Sequence, residues 1–92
     1  MVFRIEHTTT FERSLSRLDK QNAMRVLSKV VELSHSRHNV MDVAHCPRDL
    51  SGIKKIKVGD WRVFFWLDER RQEVTLYAVW HRREAYKKLF NK

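Results

Sequence analysis

Residues 53–80 hold three strand-length runs separated by turns too short for anything except hairpins. The first is Ile53-Lys54-Lys55-Ile56-Lys57-Val58, the second Trp61-Arg62-Val63-Phe64-Phe65-Trp66-Leu67, the third Glu73-Val74-Thr75-Leu76-Tyr77-Ala78-Val79-Trp80. Gly59-Asp60 makes a tight turn between the first two, and the polar stretch from Asp68 to Gln72 separates the last two. Parallel strands would need a long crossover, so these runs form an antiparallel meander. The second and third are apolar at both parities, which makes them central strands covered on both faces.

The upstream half supplies a cover. Residues 2–6 alternate, with Phe3 and Ile5 on one side, and read as a short first strand. Thr8, Thr9 and Thr10 can supply a helix N-cap. Phe11, Leu15 and Leu18 then make one apolar stripe on a helix over about residues 9–18. Asp19 caps a second helix over about 20–36, with a wide apolar face of Ala23, Met24, Val26, Leu27, Val30, Val31 and Leu33. Two helices joined this closely form a hairpin. Residues 35–51, with the only proline at Pro47, read as a connecting loop with room for short helical turns, closed by Gly52. His81 to Asn91 reads as a final short helix. The expected order is βααβββα. The class is α+β: a small antiparallel-rich sheet in one domain over residues 1–92, with the helical hairpin on one face.

Several function classes fall away. One cysteine, Cys46, excludes an internal disulfide. His35, His38, His45 and Cys46 lack the spacing of a zinc site, so no metal and no cofactor is expected. With two glycines, neither a phosphate-binding glycine loop nor a serine-nucleophile motif is present. The first residues lack an apolar run of signal-peptide length, and no stretch approaches a membrane span. A soluble cytoplasmic protein is expected. Nineteen Lys and Arg against eleven Asp and Glu leave a net charge of +8. Such a field draws polyanions. The helices carry mixed charge rather than a clustered basic face, so nucleic acid or an acidic protein segment fits better than a membrane. A basic surface kept only for solubility is the plain alternative.

Two clusters could carry chemistry. Alternation puts Lys55 and Lys57 on one sheet face, and the Gly59-Asp60 turn returns Arg62 beside them. The second cluster is His81-Arg82-Arg83-Glu84-Ala85-Tyr86-Lys87-Lys88, where a helix would set Arg82 or Arg83 one turn from Tyr86. Taken singly, each could be a solvated surface. Together they meet the needs of RNA cleavage without a metal: an activated 2′-hydroxyl, a neutralised phosphate and a protonated leaving oxygen. Arginine binds phosphate through a two-pronged fork, and lysine or tyrosine can move a proton when cations surround it. An imidazole works near neutral pH, so His81 is a further candidate, as it is for packing or capping.

Lys55-Ile56-Lys57-Val58-Gly59-Asp60-Trp61-Arg62-Val63-Phe64-Phe65 resembles the central hairpin of the RelE toxins, within the RelE/ParE superfamily. Val79-Trp80-His81-Arg82-Arg83-Glu84-Ala85-Tyr86 is similar to their C-terminal basic-aromatic motif, and Leu50-Ser51-Gly52 to the stretch before the hairpin. The element order matches across nearly the whole chain, residues 1–49 in pattern only. The resemblance implies the toxin of a type II toxin–antitoxin system, an mRNA interferase that cuts mRNA in the ribosomal A site. Carried over, Lys55 and Lys57 hold phosphate and assist proton transfer. Arg62 stabilises the transition state, Arg83 does so or assists the leaving group, and Tyr86 is base or stacking platform. Lys54, His81, Arg82 and Lys87 would add RNA contacts. The Arg-to-Tyr interval here is shorter than in the best-studied pattern, which leaves Arg82 and Arg83 as alternatives. The implied partners are the ribosome and mRNA, a cognate antitoxin with an acidic or amphipathic segment, and operator DNA through the antitoxin complex. Competing readings are a ParE-type inhibitor of DNA gyrase and a module that binds antitoxin without toxicity.

Overall fold

The computed structural model describes residues 2–90. In chain order its elements are β1 (Arg4–His7), α1 (Thr9–Ser16), α2 (Lys20–His35), β2 (Met41–Asp42), a 3-10 turn (Arg48–Leu50), β3 (Lys54–Val58), β4 (Trp61–Asp68), β5 (Glu73–His81) and α3 (Ala85–Phe90). Asn91, the expected end of the last helix, lies outside the described residues, as does Met1. The sheet order is β1-β5-β4-β3-β2. β3, β4 and β5 form the antiparallel meander, with β4 and β5 inside the sheet. β1 lies parallel to β5, which the intervening helical hairpin permits.

The order departs from βααβββα by one strand. Met41 and Asp42 pair with Lys55 and Lys54 inside what reads as loop. Two residues are too few to show a period. The helix starts follow the capping logic. The Thr8 hydroxyl accepts from the Phe11 amide at 3.2 Å, and the Asp19 carboxylate from the Asn22 amide at 2.8 Å. α1 stops at Ser16, although Leu18 still packs on the core.

Phe11, Val26, Val30 and Leu33 of the hairpin bury against Ile56, Val58, Val63, Phe65, Val74, Leu76 and Val79 of the sheet. Val74, Leu76 and Val79 can share that face because β5 carries an extra residue. Phe64 pairs with Ala78 while Phe65 pairs with Leu76, leaving Tyr77 as a bulge that resets the parity. The apolar face of α2 is wider than the core requires, and Met24, Leu27 and Val31 stay exposed.

β1 pairs only as far as Leu76, so β5 would have an open edge beyond it. α1 closes that edge with side chains. The Thr8 hydroxyl donates to the Tyr77 carbonyl at 2.8 Å, and the buried Ser14 hydroxyl accepts from the Val79 amide at 2.9 Å. Ser14→Ala should strand that amide and cost about 1–3 kcal/mol. A urea midpoint equal to wild type would contradict this role. Gly59 turns the β3–β4 hairpin at φ +60, where an added Cβ would stand 3.0 Å from the Arg25 guanidinium. Gly59→Ala should cost about 1–2 kcal/mol by the same measurement.

Candidate functional site

The second sheet face is covered over only part of its length. Val43, Leu50 and Ile53, together with Ala85 and Leu89 of α3, bury Phe64 there, and Cys46 packs half-buried beside them. Beyond that cover the register sets Lys57 opposite Arg62, and Arg62 opposite Trp80. Residues directly opposite in an antiparallel pair share a face. Lys57, Arg62 and Trp80 therefore form a row across three strands, with Lys55 two residues from Lys57 on the same face.

Lys55 is half-buried and donates to the Tyr86 hydroxyl, with its ammonium 4.7 Å from the ring centroid. This couples β3 to α3. Tyr86 is exposed and stacks nearly parallel to Phe90, centroids 6.0 Å apart and planes 7° apart. Arg62 Nη1 donates to the Gly59 and Trp61 carbonyls at 2.9 and 3.0 Å, which folds the side chain over the turn. Lys57 is exposed and has no ion-pair partner among the described residues.

The final helix begins at Ala85, four residues later than the sequence suggests. β5 runs through His81, and residues 82–84 form a turn closed by the Glu84 amide on the His81 carbonyl at 2.9 Å. The turn separates the two arginines. Arg82 is tied to the hairpin, its amide on the Asp60 carbonyl at 2.7 Å and its Nε 3.4 Å from the Asp60 carboxylate. Arg83 is exposed, with its amide donating to His81 Nδ1 at 3.2 Å and no acid partner for its guanidinium among the described residues. Arg83 is the cation of the two left for a ligand.

Two of the expected RNA contacts lie apart from the row. Lys54 is offset by one residue from Lys55, so it takes the opposite face, and it pairs with Asp42. His81 stands opposite Trp61, edge-on at 5.3 Å, and Trp61 packs on the hairpin side. Lys87 is exposed on α3. Phe90 was not among the expected residues. Its spacing of four from Tyr86 was the available signal.

The open face combines cations with stacked aromatic rings, which suits a phosphodiester with an unstacked base. Among the described residues no group of three His, Cys, Asp or Glu side chains could hold a metal ion. No described helix is long and apolar enough to cross a membrane.

No family model matches the sequence, and no curated protein matches it significantly. Solved structures do match. A chain of the toxin–antitoxin complex RelBE2 from Mycobacterium tuberculosis superposes with a TM-score of 0.76 at 22% identity, covering 88% of this chain and 92% of that one. A mutant E. coli RelE toxin in the free state gives 0.70 at 17% identity, covering 99% and 97%. YafQ from E. coli gives 0.61 at 11% identity, covering 91% and 98%. The chain has the fold of the RelE toxins.

Proposed function

We propose that the chain is the toxin of a type II toxin–antitoxin pair, a metal-independent endoribonuclease that cuts mRNA in the ribosomal A site. The observation that carries this reading is the open row on a RelE fold: Lys57 directly opposite Arg62, beside the Lys55–Tyr86 contact. In the proposed reaction the 2′-hydroxyl oxygen bonds to the adjacent phosphorus as the bond to the 5′-oxygen breaks. A 2′,3′-cyclic phosphate and a 5′-hydroxyl result. Arg62 and Lys57 neutralise the charge that builds on the phosphate oxygens. The Lys55–Tyr86 pair, acting with one proton fewer than its full complement, takes the proton from the 2′-hydroxyl, and the departing 5′-oxygen takes a proton from water. Arg83 stands at the leaving oxygen. Tyr86 and Phe90 offer a surface for a base to stack on.

A cognate antitoxin is part of the same reading. The solved neighbours include RelB–RelE complexes from Mycobacterium tuberculosis, Methanococcus jannaschii and E. coli. On this chain, Met24, Leu27 and Val31 stay exposed beside an apolar groove that includes Ile5, Phe11 and Leu15. That surface, with the net charge of +8, suits an amphipathic or acidic segment. The antitoxin complex would carry the chain to operator DNA.

Primer extension on a translating mRNA, with and without ribosomes, tests the activity. Wild type should give ribosome-dependent cuts inside codons. Arg62→Ala and Arg83→Ala should each lower cutting by about a hundredfold or more while the protein stays folded. Growth arrest without cuts would replace the nuclease with a gyrase-type inhibitor. Neither cuts nor arrest would mean a toxin without activity.

A further inference from the structure

α1, which closes the edge of β5 beyond Leu76, also brings a second group of cations to the end of the Lys57–Arg62–Trp80 row. Arg13 and Arg17 lie four residues apart, one turn along the helix, and both are exposed. Neither guanidinium has an acid partner among the described residues. With Thr10, Ser14, Trp80 and Lys88 they line an open cleft of about 200 Å³. Among the described residues no carboxylate lines it. Lys88 at its rim pairs with Glu84 at 3.6 Å.

The geometry points to this cleft as a second phosphate-binding subsite, for the backbone of a single-stranded RNA whose reacting phosphate lies at Arg62. The assignment rests on the RNA-cleaving reading and adds residues to it. The two arginine forks match phosphate oxygens. The half-buried Trp80 indole in the same wall gives a base a ring to lie on. Trp80 is also the cross-strand neighbour of Arg62. Strands stand about 4.8 Å apart, so Lys57 to Trp80 spans about 10 Å and the cleft continues beyond it. Row and cleft together follow more than one nucleotide.

The test is fluorescence anisotropy with the intact chain and a single-stranded RNA of about 12 nucleotides. The RNA carries 2′-O-methyl groups, so it cannot be cut. Salt is varied between about 50 and 200 mM. The logarithm of affinity falls with the logarithm of salt by about 0.7 for each phosphate neutralised. Arg13→Ala/Arg17→Ala should flatten that slope by about 1.4 and weaken binding by about tenfold or more. Arg13→Lys/Arg17→Lys should keep the slope. Unchanged slope and affinity in the alanine variant would overturn the assignment. An equal loss of affinity for a glutamate peptide of similar length would overturn it as well, marking a protein-binding surface. So would a wild-type chain with no affinity for the RNA. Binding that responds to the variants in a chain that cuts no mRNA would remove the nuclease and leave the subsite standing.

Discussion

A sheet whose middle strands are apolar on both faces has to be covered on both. Here the two covers are unequal. The helical hairpin lays two helices over one face and buries Val63, Phe65, Val74, Leu76 and Val79. The other face receives only α3, six residues long, and the loop through Leu50 and Ile53. That suffices to bury Phe64 and no more of β4 on that side. The uncovered part of the face must tolerate water, and its residues are Lys55, Lys57, Arg62 and half-exposed Trp80. The place of the candidate site follows from the shortness of its cover.

An uncovered face could be neutral, and this one is not. Lys57 and Arg62 stand directly opposite each other, where like charges repel. The nearby carboxylates are engaged elsewhere: Asp42 with Lys54, Asp60 with Arg82, Glu84 with Lys88. Each of those pairs is solvent-exposed and contributes little to stability. Their consequence is one of selection, because they fix which cations stay unpaired. A phosphate bound between Lys57 and Arg62 would relieve their repulsion, and would stabilise the folded chain in proportion to its binding.

Much of this was legible in the residues. Two short turns and two runs apolar at both parities dictate the meander and place β4 and β5 inside the sheet. The same alternation sets Lys55, Lys57 and Arg62 on one face. What was not legible depends on three-dimensional neighbours. The bulge at Tyr77 carries no glycine to mark it, yet it decides which way Val79 and Trp80 point. β2 is held by its pairing with β3 and has no pattern of its own. The choice between Arg82 and Arg83 turns on Asp60, more than twenty positions upstream. The basic run after Trp80 suggests a helix starting at His81, but His81 ends β5, which sends its ring to Trp61. Arg13 and Arg17 look like an ordinary solvated helix side until Trp80 and Lys88 come up beside them.

In the proposed reaction, cations on an open sheet face cut RNA through its own 2′-hydroxyl, and the chemistry of the new RNA ends reports whether they do. Fragments from a translating mRNA should carry a 2′,3′-cyclic phosphate upstream of the cut. Downstream they should carry a 5′-hydroxyl, which becomes ligatable only after treatment with a polynucleotide kinase. Fragments with 5′-phosphate ends would require attack by water instead, and would rule out cleavage through the 2′-hydroxyl.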